Sequence, residues 1–309
     1  MVRTAFDILR SPARVHRPTR ALVRIGVVQM IWNPDPDAHD ASLTQGIHLA
    51  AREGARLVCL PELTRSRYFA VERRDAERPQ AYPEALPGGP TFDLAAGAAR
   101  REGVYVHASC YEDAGDGGLG FNTAFVVSPE GTLVACRRKT HLPVTAGYYE
   151  DTWFRPGDSG WPVTRLADLG GAAFGFPTCW DQWFPETSRA FALGGADVLV
   201  YPTAIGSEPD HPEFDTEPLW QQVVSAQGIM NGTFMIAVNR AGVEGPLTFY
   251  GSSFVSDPYG RVLVQAPRSE PAVLVADLDL DQRRDWLDLF PLLATRRPET
   301  YGPLTGSDS

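Results

Sequence analysis

Several features that would assign this chain to a large protein class are missing from it. Its 309 residues include only four cysteines, Cys59, Cys110, Cys136 and Cys179. None forms a C-x-x-C pair, and no cysteine–histidine grouping has zinc-ligand spacing, so no zinc module is indicated. No apolar run approaches the length needed to cross a bilayer, which argues against a membrane partner. The basic stretch 1–20 lacks the apolar centre and cleavage site of a secretion signal, and the expected address is the cytoplasm. A basic surplus is also absent. The formal charge is −10, which leaves nothing to neutralise phosphates and argues against nucleic acid as a partner. No linker of disordered composition divides the chain, and no short repeat recurs.

What is present reads as a soluble globular protein, 43 % apolar and 21 % charged, long enough for a substantial core. Strand-like runs alternate with helical ones. Strands are expected over 22–31, 55–60, 104–111, 121–127, 133–137, 161–166, 172–176, 197–201, 234–239, 248–255, 261–265 and 272–279. Helices are expected over 37–53, 91–102, 184–193 and 217–231, with a short one after residue 281. The stretch 139–160 is long and irregular, as functional loops often are. Two sheets enclosed by helices, in one α/β domain over 21–280, is the economical reading. The flanks are an extension, 1–20, lying on the surface or on a partner subunit, and a tail, 281–309. Cys59 and Cys110 sit in strand-like runs and are expected to be buried, reduced thiols, as is Cys136.

Three unlike reactive groups occur where strand-like runs end: Glu62 after Leu57-Val58-Cys59-Leu60-Pro61, Lys139 after the run from Leu133, and Cys179 after the run from Ala172. Sites in open α/β sheets gather at strand ends. Singly, each has an ordinary explanation as loop, surface or core residue. Jointly they meet the needs of a thiol reaction. A free thiol, with a pKa of about 8.5, needs a base or positive charge to attack at neutral pH. A carboxylate shielded from water can take its proton and return it to a leaving amine. An ammonium and a backbone N–H after the nucleophile can stabilise the oxyanion. Glu62 as base and acid, Lys139 as oxyanion donor and Cys179 as nucleophile is a complete set.

The blocks Leu60-Pro61-Glu62-Leu63, Arg138-Lys139-Thr140-His141-Leu142-Pro143 and Cys179-Trp180-Asp181-Gln182-Trp183-Phe184-Pro185-Glu186 resemble the nitrilase superfamily of carbon–nitrogen hydrolases, over roughly residues 22–279. The resemblance implies an α-β-β-α sandwich, a Glu-Lys-Cys triad, no metal or organic cofactor, and assembly into homodimers or larger homo-oligomers. It also implies a second carboxylate near the lysine, for which Glu150 is the matching residue. Gly147-Tyr148-Tyr149-Glu150, Phe154-Arg155-Pro156-Gly157-Asp158 and Tyr201-Pro202-Thr203-Ala204-Ile205-Gly206-Ser207-Glu208-Pro209 are most similar to its N-carbamoylputrescine amidase branch. The reaction this implies is hydrolysis of a carbamoyl amine, N-carbamoylputrescine or an analogue, to amine, carbon dioxide and ammonia. The alternatives are another aliphatic or ureido amide as substrate, or a non-catalytic scaffold of the same fold.

Relatives that cleave carbamoyl amino acids carry Arg just beyond the nucleophile to hold a carboxylate. Here Gln182 and Trp183 stand in that region, which points to an amine-bearing or neutral small-molecule substrate. Tyr68, Tyr148, Trp180 and Trp183 are the candidate walls, and Glu208 or Asp215 the candidate for an ammonium. Two departures from the pattern are Pro177, which fixes φ and lacks an N–H just before the nucleophile, and the segment 208–218.

Overall fold

The computed structural model describes residues 1–75, 77, 81–304 and 306. In chain order the first half runs β1 (Val2–Ala5), β2 (Val23–Gln29), α1 (Pro36–Arg52), β3 (Leu57–Cys59), α2 (Pro90–Glu102), β4 (Tyr105–Glu112), β5 (Phe121–Val127) and β6 (Leu133–Arg138). The irregular stretch holds a small hairpin, β7 (Val144–Thr145) and β8 (Tyr148–Tyr149), and a 3-10 turn over Glu150–Thr152. The second half runs β9 (Thr164–Leu166), β10 (Ala172–Gly175), α3 (Pro185–Leu193), β11 (Val198–Pro202), α4 (Glu217–Asn231) and β12 (Phe234–Val238). It closes with β13 (Ala241–Glu244), β14 (Leu247–Tyr250), β15 (Phe254–Ser256), β16 (Val262–Gln265), β17 (Ala272–Leu278) and α5 (Asp281–Leu289).

Two mixed sheets form, ordered β1-β17-β2-β3-β4-β5-β6 and β16-β15-β12-β11-β10-β9. They face each other, as the period-2 alternation dictates. Leu57 and Cys59 of β3 enter the inter-sheet core with Val198, Val200, Phe234 and Ile236. Val58 and Leu60 point the other way, into the layer under α1 and α2 with Leu43, Ile47, Ala95 and Ala99. On the far side, Phe191, Trp220 and Val224 of α3 and α4 cover Leu199, Met235 and Ala237. The result is the expected α-β-β-α sandwich.

Local chemistry explains the helix bounds. The Asp35 side chain accepts from the Asp37 and Ala38 amides and Pro36 opens α1, while Pro90 opens α2 and Gly103, at φ +66°, closes it. The close seating of α1 on β2 needs Gly46, where a Cβ would lie 2.5 Å from Val28.

The structure departs from the sequence expectations in three places. The extension contributes β1, a parallel edge strand on β17, and Arg14 bridges Asp279 and Asp285, so this segment docks on its own subunit. The strand expected over 248–255 is two strands. Gly251 and Ser252 take positive φ (+53° and +54°), so β14 turns away to pair with β13 while β15 stays in the sheet with β12 and β16. Cys136 is exposed, unlike Cys59 and Cys110. Its neighbour Ala135 faces the inter-sheet core, which turns Cys136 to the helix side, where α2 packs on β4 and β5. Of the expected tail, residues 305 and 307–309 lie outside the described residues.

Candidate active site

The four carboxylate, ammonium and thiol groups singled out in the sequence converge at one end of the sandwich. Glu62 leaves β3 through Leu60-Pro61, Lys139 follows β6 directly, and Glu150 begins the 3-10 turn after β8. Cys179 comes from the opposite sheet, four residues beyond the end of β10. Glu62, Lys139 and Glu150 are buried to within 1 % and Cys179 to 5 % exposure.

Burying three charges is costly unless each is paired. Lys139 Nζ donates to Glu62 Oε1 at 2.9 Å and to both oxygens of Glu150 at 2.8 and 2.7 Å. Asn122 Nδ2 donates to Glu62 Oε1 at 2.7 Å and reaches Glu150 Oε2 at 3.4 Å. Tyr68 Oη donates to Glu150 Oε1 at 2.9 Å. The Ala204 amide donates to Glu62 Oε2 at 2.8 Å, and the Ala204 backbone also hydrogen-bonds the Cys179 sulfur. That shared residue brings thiol and carboxylate together.

The electrostatics follow from this packing. Burial works against the charge on Lys139, but Glu150 and Glu62 outweigh it and hold the ammonium above its ordinary pKa. Burial pushes the Glu150 carboxyl up to about 7, with Lys139 pulling it down and Glu62 pushing it up. Burial also raises the Cys179 thiol well above its usual value, Glu62 adds to that, and Lys139 opposes it. A thiol in this state needs a base beside it to become nucleophilic.

Cys179 has φ +35°, a strained conformation for a residue with a side chain. It opens a 3-10 turn, Cys179–Trp183, and α3 begins only at Pro185. The thiol therefore heads a single tight turn rather than the α-helix. Pro177 falls in the irregular link 176–178, where no strand hydrogen bond is required of it.

Tyr68, expected as a pocket wall, has a second role as donor to Glu150. Its ring meets Tyr148 at 5.8 Å and Phe249 at 5.7 Å. Tyr148 Oη donates to Ser207 O and accepts from the Gly206 amide, both at 3.1 Å, so it holds the loop after β11. Trp180 and Trp183 are half-buried on the turn that carries Cys179, edge to face at 6.3 Å. Glu208 is half-buried, and burial raises its carboxyl pKa while His211 acts against that. Its charge acts on Tyr148 and Tyr250, two of the phenols on which Cys179 also acts. Asp215 is a correction. It is exposed and held by Arg268 through two bonds of 2.8 Å, so it has no free charge for an ammonium. Among the described residues, no group of three His, Cys, Asp or Glu side chains could hold a metal ion.

Sequence reasoning missed Asn122, Arg240 and Glu244. Asn122 is a buried polar residue inside the apolar strand β5, and that contrast was its only signal. Arg240, fully buried, donates to the carbonyls of Glu62, Leu63 and Ser66 and twice to Glu244, which accepts from the Tyr68 amide. This pair cradles the loop that carries both Glu62 and Tyr68.

A four-layer sandwich with a buried thiol beside a carboxylate–ammonium–carboxylate cluster is the architecture of a thiol hydrolase. The carbon-nitrogen hydrolase family model matches residues 24–288. An N-carbamoylputrescine amidase of Solanum lycopersicum is 34 % identical, with 93 % of this chain and 96 % of that protein covered. A citrullinase of Francisella tularensis subsp. tularensis is also 34 % identical, with 91 % and 97 % covered. A carbon-nitrogen hydrolase from Helicobacter pylori G27 has a similar structure, with a TM-score of 0.81, 29 % identity and coverage of 93 % and 99 %. The chain belongs to the carbon–nitrogen hydrolase family and is a hydrolase acting on carbon–nitrogen bonds.

Proposed function

We propose that Cys179 is the nucleophile, Glu62 the general base and acid, and Lys139 the oxyanion donor of this hydrolase, and that its substrate is N-carbamoylputrescine or a closely related carbamoyl amine. The observation that carries the reading is the fully buried ammonium of Lys139 held between Glu62 and Glu150. Such a cluster is expensive to build and serves the thiol beside it.

Glu62 takes the thiol proton as Cys179 sulfur attacks the carbamoyl carbon. The developing oxyanion is met by the Lys139 ammonium and by a backbone N–H following Cys179. Glu62 returns the proton to the leaving nitrogen, ammonia departs, and a carbamoyl thioester remains on Cys179. Glu62 then takes a proton from water as that water attacks the carbonyl, and returns it to the departing sulfur so that the Cys179 thiol is restored. The carbamic acid released loses carbon dioxide to give the amine. Glu150, with Tyr68 and Asn122 bonded to it, keeps Lys139 charged and in place throughout.

The substrate reading rests on what surrounds the thiol. Aromatic faces come from Tyr148, Trp180 and Trp183, and Glu208, half-buried and engaged by no Arg or Lys among the described residues, supplies a carboxylate for a distal ammonium. No cation stands at Gln182 or Trp183 to hold a carboxylate. Relatives named for N-carbamoylputrescine support this, and on that reading we place the reaction in polyamine biosynthesis. The relative named citrullinase favours a second reading, a ureido amino acid. Ammonia release across a panel of carbamoyl amines, ureido acids, simple amides and nitriles separates the two. Cys179→Ala protein that still released ammonia would remove Cys179 as nucleophile.

We place the enzyme in the cytoplasm as a homodimer or larger homo-oligomer. Leu193, Leu219, Met230, Leu289 and Phe290, on or just after the outer helices α3, α4 and α5, are large apolar side chains left exposed on a single chain.

A further inference from the structure

Asp181 stands two residues beyond Cys179 and takes no part in the chemistry above, yet it has no solvent exposure and binds four donors. Its Oδ2 accepts from Arg137 Nη1 at 2.6 Å and from the Thr178 amide at 3.1 Å. Its Oδ1 accepts from the His141 amide at 3.0 Å and from His141 Nδ1 at 2.7 Å. The distribution of these donors matters more than their number. Arg137 and His141 flank Lys139 at two residues on either side, and Arg137 also reaches Thr140 Oγ1 at 2.8 Å. Thr178 is the residue immediately before Cys179.

Lys139 and its carboxylates are positioned from the seven-stranded sheet and the loop after it, whereas the thiol is delivered by the six-stranded sheet. Two sheets packed through side chains alone can slide by fractions of an ångström, and misplacement of about 1 Å can cost about 10²-fold in rate. The Ala204 backbone ties Cys179 to Glu62. Nothing yet described ties Cys179 to Lys139. We infer that Asp181 is a positioning residue that locks the Lys139 segment to the Cys179 elbow across the two sheets. Rigid packing around its partners supports this. The His141 ring lies on Phe184 at 3.7 Å and 8°, and the Arg137 guanidinium sits over Trp161 at 4.8 Å. The inference rests on the reading of Lys139 and Cys179 given under Proposed function.

The test compares Asp181→Asn, His141→Leu and His141→Asn with the wild-type enzyme, by steady-state ammonia release and by the pH dependence of Cys179 alkylation with iodoacetamide. Asp181→Asn is expected to lower kcat about 10–100-fold with KM little changed, because distance within the reacting set is what suffers. Its alkylation profile moves to higher pH, since the Lys139 charge no longer sits at a fixed distance from the sulfur. His141→Leu moves both readouts the same way, and His141→Asn restores them, because its Nδ2 takes the place of the imidazole Nδ1. If Asp181→Asn does not fold, the two His141 variants decide alone. A kcat and alkylation profile at wild-type values in folded Asp181→Asn, or no difference between His141→Leu and His141→Asn, overturns the inference while the triad stands. Ammonia release by Cys179→Ala overturns both.

Discussion

Lys139 Nζ lies nearer to both oxygens of Glu150, at 2.8 and 2.7 Å, than to Glu62, at 2.9 Å. The lysine is therefore held mainly by the carboxylate assigned no bond-breaking role, which leaves Glu62 free to exchange a proton with the thiol. The donors around Glu150 (Lys139, Tyr68 and Asn122) suit its ionised form, and protonation would turn one of them away. Activity should therefore rise with pH through about 7. In Glu150→Gln that ionisation should vanish from the kcat/KM profile, with kcat lower by on the order of 10²-fold. An unchanged profile would detach Glu150 from Lys139 function.

Tyr68 touches Glu150 through one hydrogen bond between two buried groups. Tyr68→Phe removes only that bond, so kcat should fall about 10-fold or less while KM holds. Parallel measurement in Glu150→Gln should show that the two losses do not add, because they act through one carboxylate.

Glu208 is tested by substrate choice. Glu208→Gln should raise KM for a carbamoyl amine on the order of 10-fold and leave a neutral amide of similar length untouched. Equal effects on both substrates would place Glu208 away from the ammonium.

Arg240 and Glu244 form a fully buried ion pair that also supports three backbone carbonyls. Arg240→Met should destabilise the fold by about 3–5 kcal/mol, since Glu244 would remain as an unpaired buried charge. Urea unfolding monitored by tryptophan fluorescence measures this, and Arg240→Met together with Glu244→Gln should recover part of it.

Asp181 links stability to acid. Burial alone would raise its pKa, but bonds from His141, Arg137 and the Thr178 amide hold it down at about 2, against an ordinary 3.8. The folded chain binds this proton less readily than the unfolded one. Its contribution, on the order of 2 kcal/mol, is therefore present above about pH 4 and lost as pH falls through about 2. Unfolding midpoints taken along an acid series should show this limb in the wild type and a flatter one in Asp181→Asn.

Glu62, Lys139 and Cys179 were readable because each lies just beyond an apolar run, and strand ends are visible locally. Glu150 needed the family resemblance, since nothing near it in the chain marks it. Tyr68 was read as a wall because an aromatic residue in a loop does not announce which carboxylate its hydroxyl will meet. Asp215 was misread because its partner, Arg268, is distant in sequence.

The split has a physical basis. Hydrophobic period, caps and turn residues act over a few positions, and these features of the chain were enough to specify strands, helices, the order of layers and the chemical types placed at the strand ends. Ser252 shows the limit of that reading. Its positive φ breaks a strand that the local pattern would continue, because Gln29 hydrogen-bonds the next residue, Ser253, from the other sheet. The distances that make a reaction possible belong to contacts of this long-range kind. Glu62 to Lys139, Ala204 to Glu62 and Asp181 to Arg137 span 77, 142 and 44 residues. The first came into being when β3 and β6 joined one sheet and the other two when the two sheets packed, because burial is what forces each charge to find its partner.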